Sequence, residues 1–400
     1  MKKIQDLRLI AIFVVVLIDV LGMTIMLPLL PYYSEHFGAS PQVVGLLISV
    51  YALCQLVSSP WLGHLSDRFG RKPVLIVSQI GTFLGFLVLG FAQSLGWVFF
   101  SRIIDGATAG NISTAQAYIT DVTEPKDRAK ALGRIGIAFG IGFFIGPALT
   151  AFLFRFGDRV PIFAAAALSF LSILASTFLL PKETSRAHKT QSDGQIPAVD
   201  GTGGFWGLLK RPGVKVLFVE SVLFYFAFAA FTSGFALFAE HRFTLHGVPL
   251  DPKQIGYLFT YFGLLQIPLQ AFLVGKLVNH FGERKVQFMG FLASVIGYGS
   301  LSLITNPYWF ALTGLFSTFG GGVLRPVLMS QITERVGPHE RGKAIGLSQS
   351  LQAVTQILAP IPSTFLIGSL YIGLWGLLPA LISLTGVIAM VPNNRNKKLS

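Results

Sequence analysis

The chain has 400 residues, of which 52% are hydrophobic and only 12% are charged, and its mean hydropathy is +0.64. Soluble domains carry roughly twice that charged share, so the composition excludes a water-soluble enzyme or binding module. The net charge of +13 lies on lysines and arginines scattered over short polar stretches, which is typical of cytoplasmic loops rather than of a nucleic-acid surface. We therefore predict a polytopic membrane protein without a nucleic-acid partner.

Continuous apolar stretches of about 20 residues recur along the chain, and each is long enough to cross a bilayer as a helix. They predict an all-α membrane protein with twelve transmembrane helices at 9–30, 42–62, 74–94, 97–118, 131–154, 160–180, 214–237, 254–277, 286–305, 308–331, 343–366 and 369–391. The basic residues around these spans predict that both termini are cytoplasmic.

The polar stretch 181–212 predicts a cytoplasmic linker between an N-terminal bundle, residues 1–180, and a C-terminal bundle, residues 213–400. Within it, 205–211 suits either a short helix on the membrane surface or a plain turn.

Two polar segments recur at a constant offset of about half the chain, as expected for a duplicated transporter. The run from Gly63 to Lys72 returns, in weaker form, 212 residues later from Gly275 to Arg284. The run 121–133 returns 213 residues later at 334–346. The chain is therefore predicted to consist of two like halves with six spans each.

Ionisable residues inside the predicted spans are few: Asp19, Arg102, Asp105, Glu220 and Arg325. A charge at the bilayer centre costs about 2.5–3.5 kcal/mol, so each is a functional candidate. Arg102 and Asp105 share one helix face, and a carboxylate near an arginine can exchange a proton as its surroundings change. We predict Asp19, Asp105 and Arg102 as the proton-coupling group, with a static Arg102–Asp105 pair as the alternative. We expect Glu220 to pair with Arg325.

Several motifs resemble those of one transporter family. Gly63-x-x-x-Asp67-Arg68-x-Gly70-Arg71-Lys72 resembles the loop signature of the major facilitator transporters, and Gly142-x-x-x-Gly146-Pro147 resembles an element of their drug–proton antiporter branch. The first span, with Asp19 ahead of Gly22 and Pro28-Leu-Leu-Pro31, is similar to that of tetracycline and multidrug efflux proteins.

Two positions depart from the pattern of these proteins. Thr150 and Ala151 stand where the antiporter element usually has paired glycines. No acidic residue lies in 286–305, where the tetracycline exporters are expected to carry one. We therefore expect an efflux-type antiporter whose cargo is not tetracycline.

The resemblance implies two pseudo-symmetric six-helix bundles and a proton-coupled exporter of small amphiphilic compounds. It would work by alternating access in the bacterial inner membrane, as a monomer driven by the proton gradient without a cofactor or metal. Gly142, Gly146 and Pro147 would form a hinge. A conformational latch would involve residues in and near the first loop: Gly63, Asp67, Arg68, Gly70, Arg71, Lys72, Asp121 and Arg128.

The resemblance also implies a central cavity lined by spans 1, 4, 7 and 10. The candidates for contact with the substrate are polar or aromatic side chains: Tyr51, Gln55, Asn111, Glu220, Tyr225, Phe231, Gln266, Gln270 and Arg325. Most phenylalanines of the seventh span are expected to face lipid instead.

Other functions remain open at this point. An antiporter or flippase for a physiological lipid or metabolite and a proton-coupled uptake symporter use the same motifs. A non-transporting sensor would not need carboxylates such as Asp19 and Asp105 inside its spans. The sequence has no phosphate-binding loop and no catalytic constellation, so we expect neither ATP as energy source nor an enzyme.

Overall fold

The computed structural model describes residues 2–123, 128–181, 207, 212–245, 247–336, 340–369 and 371–390. Within these ranges the regular structure is helical, apart from one pairing of Thr244–Leu245 (β1) with Val248–Pro249 (β2). Almost all of the predicted linker 181–212, with its candidate surface helix, lies outside the described residues.

The chain divides into two compact units. Unit 1 comprises Met1–Gln195, Ala239–His241 and Val248–Leu264, and unit 2 comprises Ile196–Phe238, Arg242–Gly247 and Leu265–Ser400.

Unit 1 is built mainly on seven helices: α1 (Lys2–His36), α2 (Pro41–Phe69), α3 (Arg71–Gly90), α4 (Leu95–Ala107), α5 (Asn111–Val122), α6 (Arg128–Leu153) and α7 (Val160–Leu179). A 3₁₀ turn at Phe154–Phe156 follows α6. Helix α1 packs against α6 and α7, and α3 packs against α4 and α7. Branched apolar residues of α1, such as Ile12 and Val15, are fully buried and contact Tyr118 and its neighbours in one core cluster.

The remaining helices are α8 (Pro212–Arg242), α9 (Pro252–Pro268), α10 (Val274–Phe281), α11 (Glu283–Ser300), α12 (Pro307–Arg335), α13 (Arg341–Leu358), α14 (Pro360–Ile367) and α15 (Leu377–Met390). Helices α8 and α9 contribute residues to both units, and the others belong to unit 2. In unit 2, α11 packs against α12 and α15.

The all-α membrane architecture is confirmed. Nine helical segments of the described ranges are long and apolar enough to cross a membrane, judged by length and composition alone. The other three predicted spans correspond to α4 with α5, to α11 and to α12. Large apolar side chains such as Trp61, Phe178 and Leu303 are strongly exposed, which suits a surface in contact with lipid.

The fourth span, predicted as one helix, is interrupted near its middle. Helix α4 ends at Ala107 and α5 begins at Asn111. The N–H of Gly110 bonds the carbonyl of Thr108 at 2.7 Å instead of continuing the helical pattern. The Thr108 hydroxyl bonds back to the carbonyl of Ile104 at 2.8 Å, a local contact that competes with regular helix.

Two spans of the second half are also irregular, each beside a proline. A π-helical segment, Leu269–Leu273, joins α9 to α10 directly after Pro268, which has no N–H to donate. The eleventh span changes from α13 to α14 at Ala359, just before Pro360. Such π segments in helices often accompany functional positions.

The expectation that most phenylalanines of the seventh span face lipid is wrong. Phe231, Phe235 and Phe238 are buried in unit 2. Phe238 stacks on Trp375 at 4.6 Å between ring centroids, and Phe235 stacks on Phe310 at 4.8 Å. Aromatic partners from α12 and from the segment just before α15 therefore draw these rings into the core of the unit.

Candidate functional site

The loop between α2 and α3 gathers the predicted latch residues around one arginine. The Arg71 guanidinium donates through Nε to Asp121 Oδ2 at 2.8 Å and pairs through Nη1 with Asp67 Oδ1. It also donates to the hydroxyl of Ser66 at 2.6 Å, and that hydroxyl donates to the carbonyl of Gly63. The proximity of Asp67, Arg71 and Asp121 agrees with the expectation from the motif, and their role as a latch stays a prediction.

The glycine and the other basic residues of the motif have distinct positions. Gly70 has φ +95°, a backbone conformation that L side chains rarely adopt, so the sharp change of direction between α2 and α3 requires glycine. The Arg68 guanidinium lies beside the Phe69 ring, 5.2 Å from its centroid. Arg128 begins α6, and its side chain lies outside what the structure describes.

The equivalent cations of the two loops bind the end of the last span of their own half. Lys72 donates to the carbonyls of Thr177 and Leu180, at the end of α7. Arg284, at the matching place in the second loop, donates to the carbonyl of Met390 at 3.4 Å, at the end of α15. A positive charge at a helix C-terminus is favourable because the last carbonyls lack helical partners.

The prediction that Glu220 pairs with Arg325 is wrong. Glu220 is fully buried and accepts two hydrogen bonds from Arg284 Nη1, at 2.9 and 3.0 Å. Gln287 donates to the same carboxylate at 2.8 Å and accepts from Gln331 at 2.9 Å. This network joins α8, α11 and α12 and removes Glu220 from any accessible surface of unit 2.

A polar cluster inside unit 1 surrounds Asp19, near the middle of α1. Gln79 of α3 donates through Nε2 to Asp19 Oδ2 at 3.4 Å and to Ser172 Oγ of α7 at 2.7 Å. Gln79 is fully buried, and its Oε1 accepts no hydrogen bond from the described residues. Sequence analysis missed Gln79 and Ser172. The signal in the sequence that could have identified Gln79 was its amide side chain in a mainly apolar span.

Arg102 and Asp105 form a second buried group, on α4. Arg102 Nη1 lies 3.3 Å from Asp105 Oδ2, and both side chains are less than a tenth exposed. The Phe86 ring lies under the guanidinium, 5.9 Å from Cζ to centroid. Arg102 Nη2 is buried without a hydrogen-bond partner among the described residues. Since one donor is left over, the pair has spare capacity for another acceptor.

The interruption of the fourth span lies beside three predicted substrate contacts. Gly106 approaches the carbonyl of Tyr51 so closely that a Cβ would lie 2.6 Å from it. Gln55 reaches the carbonyl of Ala109 at 3.5 Å, the limit for a hydrogen bond. Asn111, the first residue of α5, has its Oδ1 buried without a partner among the described residues. The structure thus places Tyr51, Gln55 and Asn111 at the break or on the helix facing it.

The antiporter element of α6 packs directly on α1. A Cβ at Gly142 would lie 2.4 Å from Val20, and one at Gly146 would lie 2.0 Å from Thr24 Oγ1. Thr24 donates to the carbonyl of Gly142 at 2.9 Å. Pro147 lies inside α6, and its carbonyl faces Gly256 of α9, which also belongs to unit 1. The small residues therefore permit close helix contact, and the hinge role stays a prediction.

The remaining predicted contacts lie in unit 2. Tyr225 is buried with its hydroxyl 3.0 Å from Ser348 Oγ, and Phe231 is buried in the aromatic core. Gln266 is half-buried at the end of α9, and Gln270 is exposed in the π segment. Arg325 is exposed on α12 and forms no ion pair within the described ranges. Their contact with a substrate stays a prediction.

Comparison with known sequences identifies the family. The family model of the Major Facilitator Superfamily matches residues 12–250 and 244–398. The class B tetracycline resistance protein of Escherichia coli is 28% identical over 351 residues, or 87% of this chain and 85% of the relative. The class E protein of the same organism is 30% identical over an alignment that covers 88% of this chain and 86% of the relative. Multidrug resistance protein 2 of Bacillus subtilis (strain 168) is 28% identical over an alignment that covers 90% of this chain and 89% of the relative.

Comparison with solved structures gives the same fold. The nucleoside transporter NupG aligns with a TM-score of 0.76 over 96% of this chain and 97% of its own, at 14% identity. The human organic anion transporter MFSD10 (TETRAN) aligns with a TM-score of 0.69 over 96% and 99%, at 21% identity. At these identities the likeness concerns the fold alone. With the family model matched over most of its length, the chain belongs to the Major Facilitator Superfamily.

Proposed function

We propose that this protein is a proton-coupled antiporter that exports small amphiphilic compounds by alternating access. The observation that carries the proposal is the carboxylate of Asp19 inside α1, bonded by the buried amide of Gln79 at 3.4 Å. A carboxylate within an apolar bundle is costly unless it is paired, bonded or protonated. A carboxylate that alternates between a hydrogen-bonded anion and a protonated acid can couple proton binding to transport.

The Arg102–Asp105 pair supplies the second half of this mechanism. Both side chains are buried, and the arginine keeps one donor nitrogen without a partner in the described ranges. A proton on either Asp19 or Asp105 removes one negative charge from unit 1, so the net charge of the bundle depends on proton occupancy. Occupancy by the proton and occupancy by the cargo can then exclude each other, as antiport requires.

The remaining parts of the proposal rest on the motifs and on the relatives. We place the protein in a bacterial inner membrane with both termini cytoplasmic, acting as a monomer driven by the proton gradient. Support for efflux comes from the tetracycline and multidrug resistance proteins among the relatives. The absence of an acid in 286–305 favours a cargo other than tetracycline.

Everted membrane vesicles test the proposal. The vesicles are energised to an acidic interior, the gradient is followed with acridine orange, and a panel of amphiphilic compounds is added. At least one compound should dissipate the gradient in wild-type vesicles and leave it unchanged in vesicles with Asp19→Asn. Compound movement that survives a protonophore would refute proton coupling. Accumulation in right-side-out vesicles instead of everted ones would indicate an uptake symporter.

A further inference from the structure

Arg325 is a cation inside a span, and no carboxylate in the described part of unit 2 balances its charge. It lies in α12 eighteen residues after Pro307 and ten before Arg335, well away from both helix ends. It is exposed, and no ion pair is found for it among the described residues. An arginine at such depth is costly, so proteins normally retain one there to bind something.

The acidic residues of unit 2 explain why Arg325 is unbalanced. Glu220 is the one that lies within a span of the described part of unit 2, and Arg284 and Gln287 already occupy its carboxylate. The others lie at helix ends: Glu283 begins α11, Glu334 is in the last turn of α12, and Glu340 precedes α13. The counter-charge for Arg325 therefore has to come from outside this unit's spans.

The position of Arg325 around α12 indicates an internal surface rather than lipid. At about 100° per residue it is at least ~80° around the helix axis from the exposed apolar residues of the first half of α12. Those residues are Tyr308, Trp309, Leu312, Leu315 and Phe316. Leu324, the preceding residue, faces Gly290 of α11, which occupies another side.

The neighbours of this face provide the rest of a binding site. Gly321, one turn before Arg325, lies against the ring of Phe228, and Gly322 lies against Leu269 and the side chain of Gln266. Residues three and four positions apart lie on one helix face, so Arg325 continues this surface. Gln266 adds an amide donor, Phe228 adds an apolar aromatic wall, and the π segment lies alongside.

We infer that Arg325 binds the acidic group of the cargo, which assigns the substrate class as amphiphilic organic anions with a carboxylate or sulfonate. A guanidinium binds such groups through a planar fork of donors, whereas it repels cationic amphiphiles. The aromatic wall suits the apolar body of the same molecule. This inference rests on the proposed function only in that the bound anion is also transported.

Binding to the purified full-length protein in neutral nanodiscs tests the inference without any proton gradient. The probes are fluorescein, an aromatic anion, and ethidium, an aromatic cation, each followed by fluorescence anisotropy. Wild type should bind fluorescein saturably, and Arg325→Gln should weaken this binding by about tenfold or more, as expected for the loss of a hydrogen bond between charged groups. The affinity of Arg325→Lys for fluorescein should lie between those of wild type and Arg325→Gln, because lysine keeps the charge and loses the planar fork of donors. Arg335→Gln, on the same helix, should bind like wild type.

A second measurement uses wild type alone and does not depend on the folding of a variant. 1-Naphthoate and 1-naphthamide share one skeleton and differ in charge, and the acid should displace fluorescein at concentrations at least about tenfold lower. Equal displacement, no saturable fluorescein binding, preference for ethidium, or an equal loss in Arg335→Gln would overturn the inference. Anion binding without gradient dissipation in vesicles would leave it standing and refute the proposed coupling. Gradient dissipation without anion binding would refute only the assignment of an anionic cargo.

Discussion

Thr150 of α6 donates a hydrogen bond to the carbonyl of Ile25 of α1 at 2.7 Å, one turn after the Gly146-Pro147 pair. The hydroxyl is buried and also contacts the carbonyl of Gly146 at 3.3 Å. It stands where the related antiporters usually have glycine. This chain therefore joins α1 and α6 by a polar contact at the position where the pattern relies on small residues.

Thr150→Val should destabilise the protein because it keeps the shape of the side chain and removes this bond. A net contribution of about 1 kcal/mol is typical for such a hydrogen bond. We expect a lower apparent melting temperature in detergent. Thr177→Val is the control, since the hydroxyl of Thr177 is exposed and bonds within its own helix, to the carbonyl of Ile173. Equal melting temperatures for the two variants would show that the Thr150 bond contributes nothing.

Gly146→Ala should be more damaging than Gly140→Ala, six residues earlier on α6. Its Cβ would lie 2.0 Å from Thr24 Oγ1, so the two helices have to separate, at a cost of about 1–3 kcal/mol. Gly140→Ala is the matched control because its Cβ would meet nothing within 4 Å. That variant should be neutral or slightly stabilised, since alanine favours helix. Thermal unfolding of the two variants side by side decides the question.

Gln79→Leu should impair coupling because Asp19 loses its hydrogen-bond donor while the volume at the site is nearly kept. We expect gradient-driven transport in everted vesicles to fall by about tenfold, equivalent to roughly 1.4 kcal/mol, the order of one bond to a charged group. Substrate exchange without a gradient should be affected less. Ser169→Ala, on α7, is the control: it removes a bond to the backbone carbonyl of Gln79 at 3.3 Å and leaves the side-chain amide and its bond to Asp19 in place. An equal or larger effect of Ser169→Ala would assign Gln79 to packing alone.

Arg71→Gln should slow transport more than Asp67→Asn because it breaks the bridges to both Asp67 and Asp121. Asp67→Asn should alter stability little, since Asp67 is 61% exposed and such pairs contribute at most about 1 kcal/mol. Asn279→Ala, in the second loop, should leave the rate unchanged because that loop lacks the carboxylate. Transport rates and melting temperatures are measured together. Equal rates in all three variants would reduce the first loop to a determinant of topology.

The predicted topology can be checked with single cysteines. Cys54 is half-buried in α2 and should react poorly with impermeant thiol reagents, so it can serve as the background residue. A cysteine introduced at Ser192, in the predicted linker, should react with such reagents in everted vesicles and not in intact cells. Reaction in intact cells would contradict the cytoplasmic assignment of the linker.

The sequence was sufficient for the spans and for the first loop because both depend on local information. Hydropathy is set within each span, and Asp67 and Arg71 are only four residues apart, on either side of the bend at Gly70. The partner of Glu220 could not be predicted in this way, since Arg284 is 64 positions further on and several arginines compete for the role. Gln79 and Ser172 are 93 positions apart, and only the packing of α3 against α7 brings them together.

The aromatic residues of α8 show the same limit. Phenylalanine is equally compatible with lipid and with a protein core, so composition alone cannot choose between them. Trp375 and Phe310 decide the outcome for Phe238 and Phe235, and both partners lie far along the chain.

The pairing of Glu220 with Arg284 means that the second loop cannot be exchanged for the first. A chimera in which the first loop replaced the second would put Lys72's ammonium in place of the Arg284 guanidinium. One compact charge cannot reproduce both the contact of Nη1 with the two carboxylate oxygens and the bond of Nη2 to the carbonyl of Met390. The buried Glu220 would then be poorly compensated, at a cost that reaches about 3–5 kcal/mol when a buried partner is lost. A second half that keeps the glutamate and lacks the arginine should therefore lose folding stability before it loses transport.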